Sequence, residues 1–200
     1  MSTCTTQLYG GAITTVLPLG FMDVSMLREV PDTQEVFVNS RTPQECAHAE
    51  DGLAENESII IDLLQMVEAP SDDEALNVHI EDVTSLNGGD AWDTVKKETQ
   101  PDGTITCILT ESVHKWGKQD MRETLAICLA LKRMKDVETD ALISINVPLK
   151  AEEVELLSKT EEVKRLTASY DVLKNIVKEF KVLDKSLFAW FMDLTKMNSQ

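Results

Sequence analysis

The residues best placed to do chemistry lie in one segment, Arg28 to Asn39 (REVPDTQEVFVN). Pro31 and Asp32 favour a turn. The alternation that follows, Val36 and Val38 against Phe37, favours a strand over Gln34 to Asn39. Asp32 and Glu35 stand three apart across that junction, with Gln34 between them; Asp23 and Arg28 lie just upstream. Carboxylates at the mouth of a strand are exposed and carried on a rigid element, which suits a contact surface for cationic groups. The competing reading is turn chemistry and solubility alone. Their removal is expected to leave thermal unfolding unchanged.

No catalytic apparatus accompanies them. The chain has no GxxxxGK[ST] or GxGxxG phosphate cradle, no GxSxG elbow and no HExxH. Its three histidines, His48, His79 and His114, are scattered. His79, beside Ile80, reads as a satisfied, partly buried imidazole. Cys4, Cys46, Cys107 and Cys128 include no CxxC and are read as reduced thiols of a nuclear or cytosolic protein. Asp72, Asp73 and Glu74 lack the spacing of a calcium loop and read as the wet face of a helix. No catalytic residue, metal or cofactor is therefore expected. A hydrolase using paired carboxylates is a rival without a visible nucleophile or base.

The composition narrows the partner. Lys and Arg number 19 against 35 Asp and Glu, a formal net charge of −16. Residues 51–100 alone hold thirteen acids and two bases. Such a surface excludes broad phosphate contact with nucleic acid, argues against docking on an anionic membrane, and favours a basic protein partner or simply high solubility. No stretch approaches the length of a membrane span.

The elements that must position the segment follow from periodicity. AITTVL (12–17), bounded by glycines and Pro18, reads as a strand. Asn56 to Val67 is expected to be a helix, with Asn56 as N-cap, Glu57 at the positive end of the dipole, and Ile60, Leu63, Leu64 and Val67 on one face. A second helix is expected over Asp72 to Leu86, ended by Asn87-Gly88-Gly89. The period then changes to two over 104–113, 124–132 and 139–147, an antiparallel meander whose middle strand is apolar on both faces. A last helix from about Glu161 to Phe180 carries the stripe Val163, Leu166, Tyr170, Leu173, Val177, Phe180. The fold class is α+β, an antiparallel sheet with helices on its faces.

The segments LYGGAITTVLP (8–18), GFMDVSMLREVPDTQEVFVNSRT (20–42), DGLAENESIIIDLLQMV (51–67), HIEDVTSLNG (79–88), HKWGKQD (114–120), TDALISINVPL (139–149) and VLDKSLFA (182–189) closely resemble the Mog family. These are nuclear Ran-binding guanine-nucleotide release factors, and the likeness is to a fungal member. The resemblance implies a PsbP-like central antiparallel sheet with helices on both faces, forming one domain over 1–189 with a tail at 190–200. It further implies binding of the GTPase Ran, release of its guanine nucleotide and support of nuclear protein import by a nuclear monomer that is not an enzyme. The family's Ran surface centres on the PDTQE segment, here Asp32, Gln34 and Glu35, with Asp23 and Arg28 as secondary positions. The alternative is an acidic chaperone for basic nuclear proteins.

Overall fold

The computed structural model describes residues 2–88, 91–114 and 122–189. Most of the HKWGKQD stretch, Gly89 and the tail 190–200 lie outside the described residues. A seven-stranded antiparallel sheet forms the centre. Its strands, in chain order, are β3 (Phe21–Asp23), β4 (Gln34–Asn39), β5 (Ser58–Gln65), β6 (Trp92–Thr99), β7 (Ile105–His114), β8 (Arg122–Met134) and β9 (Thr139–Pro148). They are arranged β3-β4-β5-β9-β8-β7-β6. A second, three-stranded antiparallel sheet joins β1 (Thr3–Leu8), β2 (Ile13–Pro18) and β10 (Lys181–Val182), with β2 in the middle. The helices are α1 (Pro43–His48), α2 (Asp72–Leu86), α3 (Ala151–Ser158) and α4 (Lys164–Glu179).

The two-faced apolar pattern of β8 explains the layering. Ile127, Leu129 and Leu131 point to one side and pack with Leu76 and Ile80 of α2. Ala126, Cys128 and Ala130 point to the other, where their small side chains share a core with α4 and with Leu8, Ile13 and Leu17 of the small sheet. Each of the six residues of the predicted α4 stripe is buried. The two faces differ in side-chain size, so a slip of one residue would put the large side chains where the small ones pack against α4 and the small ones against α2, and this fixes the register. On its far side the sheet ends at β6, where a bulge at Val95 shifts the pairing with β7 and Lys96 and Lys97 follow. The four cysteines are free. Burial pushes the Cys107 thiol up to about 12 and raises that of Cys128 as well.

One expected element is different. Ser58–Gln65 is a strand, not a helix. Ile59, Ile61 and Leu63 are buried in alternation, and the Ile59-Ile60-Ile61 run is stiff at χ1 and favours extended backbone. Asn56 does not cap a helix; it takes φ 71° in the bend before the strand, a conformation that Asn tolerates better than most residues. Glu57 serves no helix dipole. It is buried and accepts from Arg165 Nη1 at 2.9 Å and from the Ala54 amide at 3.0 Å. Arg165 also grips Glu153 with two nitrogens, at 2.9 and 2.6 Å. One guanidinium thus ties α4, α3 and the approach to β5 together.

α2 begins at the Ser71 cap, which accepts from the Glu74 amide at 3.2 Å. It is latched to the sheet by His79, whose Nε2 lies 2.9 Å from Asp140 Oδ2. Asp140 is fully buried and also accepts from Arg133 Nε at 3.0 Å and from the Val67 amide at 3.0 Å. Burial by itself would raise its carboxyl, but the bonds from His79, Val67 and Arg133 outweigh that and hold it below the usual range. A depressed native pKa contributes stability that is present above the unfolded value and lost as pH falls through the native one. The Asp140 contribution is therefore expected to disappear below about pH 4. Asp140→Ala leaves His79 and the Val67 amide without this acceptor and Arg133 with only Asp72 and the Val67 carbonyl, and is expected to cost about 3 kcal/mol in urea unfolding at neutral pH. In that variant the acid-side loss of stability between about pH 4 and 2 flattens.

Candidate functional site

The predicted segment meets the tip of the small sheet. β3 and β4 are antiparallel neighbours, with Asp23 opposite Phe37. The chain between them runs through a 3-10 turn at Val24–Met26 and a turn at Pro31, closed by the Gln34 amide on Pro31 O at 2.8 Å. Facing this loop is the bend Tyr9-Gly10-Gly11 between β1 and β2, with φ of 50°, 66° and 92°. The two glycines make that left-handed run affordable, and Tyr9 is its strained member.

Tyr9 is held at both ends. Its amide donates to Glu35 Oε1 at 2.5 Å. Its hydroxyl donates to Ile61 O at 2.7 Å, with Thr33 O at 3.2 Å. The ring thereby bridges the bend of the small sheet to β5 and to Thr33 just before β4, while the backbone amide fixes the Glu35 carboxylate on β4. Burial raises the Glu35 carboxyl above the usual range, the Tyr9 amide bond opposes it, and the Asp23 charge adds a smaller upward push. On β5, Asp62 is raised by burial against the opposing bond from Gln34 Nε2 at 2.7 Å. Burial, then the Asp62 and Glu35 charges, drive the Tyr9 phenol up.

A shallow cleft of about 480 Å³ opens between the loop and the bend, lined among others by Gln7, Tyr9, Asp23, Asp32, Gln34 and Glu35. Four of the five predicted positions thus share one concavity. Asp32 is exposed on its rim and makes no side-chain hydrogen bond or ion pair among the described residues. Asp23 is spent locally: its Oδ1 accepts from the Ser25 amide at 2.7 Å and caps the 3-10 turn. Arg28 does not line the cleft; its side chain stands exposed on the loop. Glu35 departs from the expectation of a residue neutral to stability, because removing it orphans the Tyr9 amide. Tyr9 and Asp62 were missed from the sequence. The signal for Tyr9 was a Tyr-Gly-Gly bend ahead of a strand; the signal for Asp62 was a lone acid in an apolar run. Among the described residues no cluster of His, Cys, Asp or Glu is arranged to hold a metal. No helix among them is long and apolar enough to cross a membrane.

What the arrangement offers is a rigid anionic recess with one free carboxylate at its lip. The family model described as Ran-interacting Mog1 protein matches residues 6–148. The nuclear import protein MOG1 of Saccharomyces cerevisiae is 50% identical over 184 residues, covering 92% of this chain and 84% of that protein. The Ran guanine nucleotide release factor of Homo sapiens is 31% identical over 152 residues, 70% of this chain and 74% of its own length. The 1.9 Å crystal structure of the Saccharomyces cerevisiae Ran-binding protein Mog1p superposes with a TM-score of 0.86 at 49% identity, covering 94% of this chain and 99% of that one.

Loss of the bridging hydroxyl tests the clamp. Tyr9→Phe is expected to lower unfolding free energy by about 1–2 kcal/mol in urea. Hydrogen exchange should quicken at the amides of Thr33 to Glu35 ahead of the rest of the sheet.

Proposed function

The chain belongs to the family of Ran-interacting Mog1 proteins, and from that premise we propose that it binds the small GTPase Ran and promotes release of its guanine nucleotide, in support of protein import into the nucleus. The observation that carries the siting is the convergence of Asp23, Asp32 and Glu35 on one cleft. Asp32 and Glu35 meet basic groups of Ran, Gln34 holds Asp62 beside them, and Asp23 shapes the loop. Arg28 sits at the margin, where it sets orientation against an acidic side chain.

The physics of release follows from linkage. A GTPase holds its nucleotide through a lysine, backbone amides and a magnesium ion around the phosphates. A protein that binds the emptied GTPase better than the loaded one shifts the population toward release. By reciprocity, nucleotide loosens that protein's grip by the same factor. Anionic side chains suit this exchange, since they engage cationic groups that phosphate otherwise occupies or screens. The net charge of −16 speeds encounter with a basic face and discourages contact with nucleic acid or anionic lipid. No bond is made or broken in this role. The protein is a regulator and not an enzyme, acts as a monomer, and works in the nucleus, where its import function is served.

An acidic chaperone would instead bind many basic proteins with a steep, sequence-blind salt dependence. A pull-down at physiological salt separates the two: Ran alone supports the proposal, and a spread of basic proteins supports the chaperone.

Release of a fluorescent guanine nucleotide from Ran is expected to accelerate on adding this protein. Asp32→Ala and Glu35→Gln, the latter keeping an acceptor for the Tyr9 amide, are each expected to weaken the effect about tenfold. Asp32→Ala should unfold at the unaltered temperature. Release at the unaltered rate with both variants would remove these residues from the site.

A further inference from the structure

Beside the polar cleft the loop presents two large apolar side chains to water. Met26 is 78% exposed and Leu27 is 68% exposed. Single exposed hydrophobics are ordinary, but these two are consecutive and their backbone is fixed. Val24, at the start of the turn, is buried. Val24 O accepts from the Leu27 amide at 2.9 Å and from the Arg28 amide at 3.1 Å, and Asp23 Oδ1 caps the Ser25 amide at 2.7 Å. The turn is anchored inward at Val24 and turned outward at Met26 and Leu27.

We propose, resting on the Ran-binding reading, that Met26 and Leu27 form an apolar prong that seats in an apolar recess of Ran and sets the lifetime of the complex, with Asp23 as the residue that positions it. Two features on the surface name this occupant. The prong is continuous with the acidic cleft, on the same loop between Asp23 and Asp32, so a partner whose basic groups meet Asp32 and Glu35 also covers it. The cleft walls are mainly polar, so they supply orientation and encounter rate but little apolar contact to desolvate. A contact buried within a polar rim is the arrangement that slows dissociation. Because the turn is already fixed, little ordering accompanies its burial.

The test is surface plasmon resonance on immobilised Ran stripped of nucleotide with a magnesium chelator, across a salt series. The double variant Met26→Ser/Leu27→Ser is expected to raise the dissociation rate about tenfold or more, with the association rate within about twofold and its salt dependence unchanged. Asp32→Ala should do the reverse, lowering the association rate and its salt dependence. Asp23→Ala should raise the dissociation rate, and Asp23→Asn, which keeps a capping acceptor without the charge, should restore it. An unchanged dissociation rate in the double variant overturns the prong while leaving the Ran reading standing. A change confined to self-association of the free protein overturns it too, by assigning the prong to a second copy. An Asp23→Asn variant as impaired as Asp23→Ala overturns the positioning role. If the unaltered protein forms no complex with Ran, the functional reading falls and the prong with it.

Discussion

The site rests on Tyr9. Its amide and its hydroxyl reach different strands of the large sheet from a left-handed backbone. A non-glycine residue held there costs on the order of 1 kcal/mol. A charge-assisted bond to Glu35 and a well-made bond to the Ile61 carbonyl offset that cost. This bridge gives the contact between the two sheets a direction that apolar packing, which is non-directional, does not supply, and it holds the Glu35 carboxylate in place. The carboxylate's position is thus a consequence of where the β1–β2 bend sits.

The remainder of the fold keeps that bend and its target in place. α4 lies over the small alanines of β8 and joins the core that includes Leu8 and Ile13, so the strands on either side of the Tyr9 bend are pinned from below. Thr15 adds a bond from its hydroxyl to Ile176 O at 2.7 Å. Arg165 ties α4 to Glu57 just before β5, and β5 carries both Ile61 and Asp62. Glu35 and Asp62 are held by β4 and β5, strands whose own registers are set by burial. That separates the two tasks of the surface: a rigid frame sets geometry, and the exposed loop supplies contact.

Much of this was legible in the residues. The α4 stripe and the two apolar faces of β8 emerge because deep burial imposes an unbroken period. Asp32 and Glu35 stand out because turn chemistry and strand alternation meet there. β5 was misread because Ile60, Leu63, Leu64 and Val67 fall at helical spacing while Ile59, Ile61 and Leu63 fall at strand spacing, and an apolar run satisfies both templates. Only its partner strands, remote in sequence, decide between them. The role of Tyr9 depends on Glu35 and Ile61, 26 and 52 residues away, and no local pattern encodes such a meeting. Asp23 lines the same cleft as Asp32 and Glu35, and its use as a cap was hidden by its charge.

At the opposite side of the large sheet, β6 ends the hydrogen-bonded ladder with a bulge at Val95 and two lysines, Lys96 paired with Glu98 and Lys97 with Asp73. An open ladder invites another chain to continue it, and molecules that do so polymerise into fibres. A kinked margin carrying paired ammonium groups gives an incoming strand no straight template and makes it displace bound charges first. The molecule can therefore leave the loop side of the large sheet open while its other margin stays refractory to its own kind.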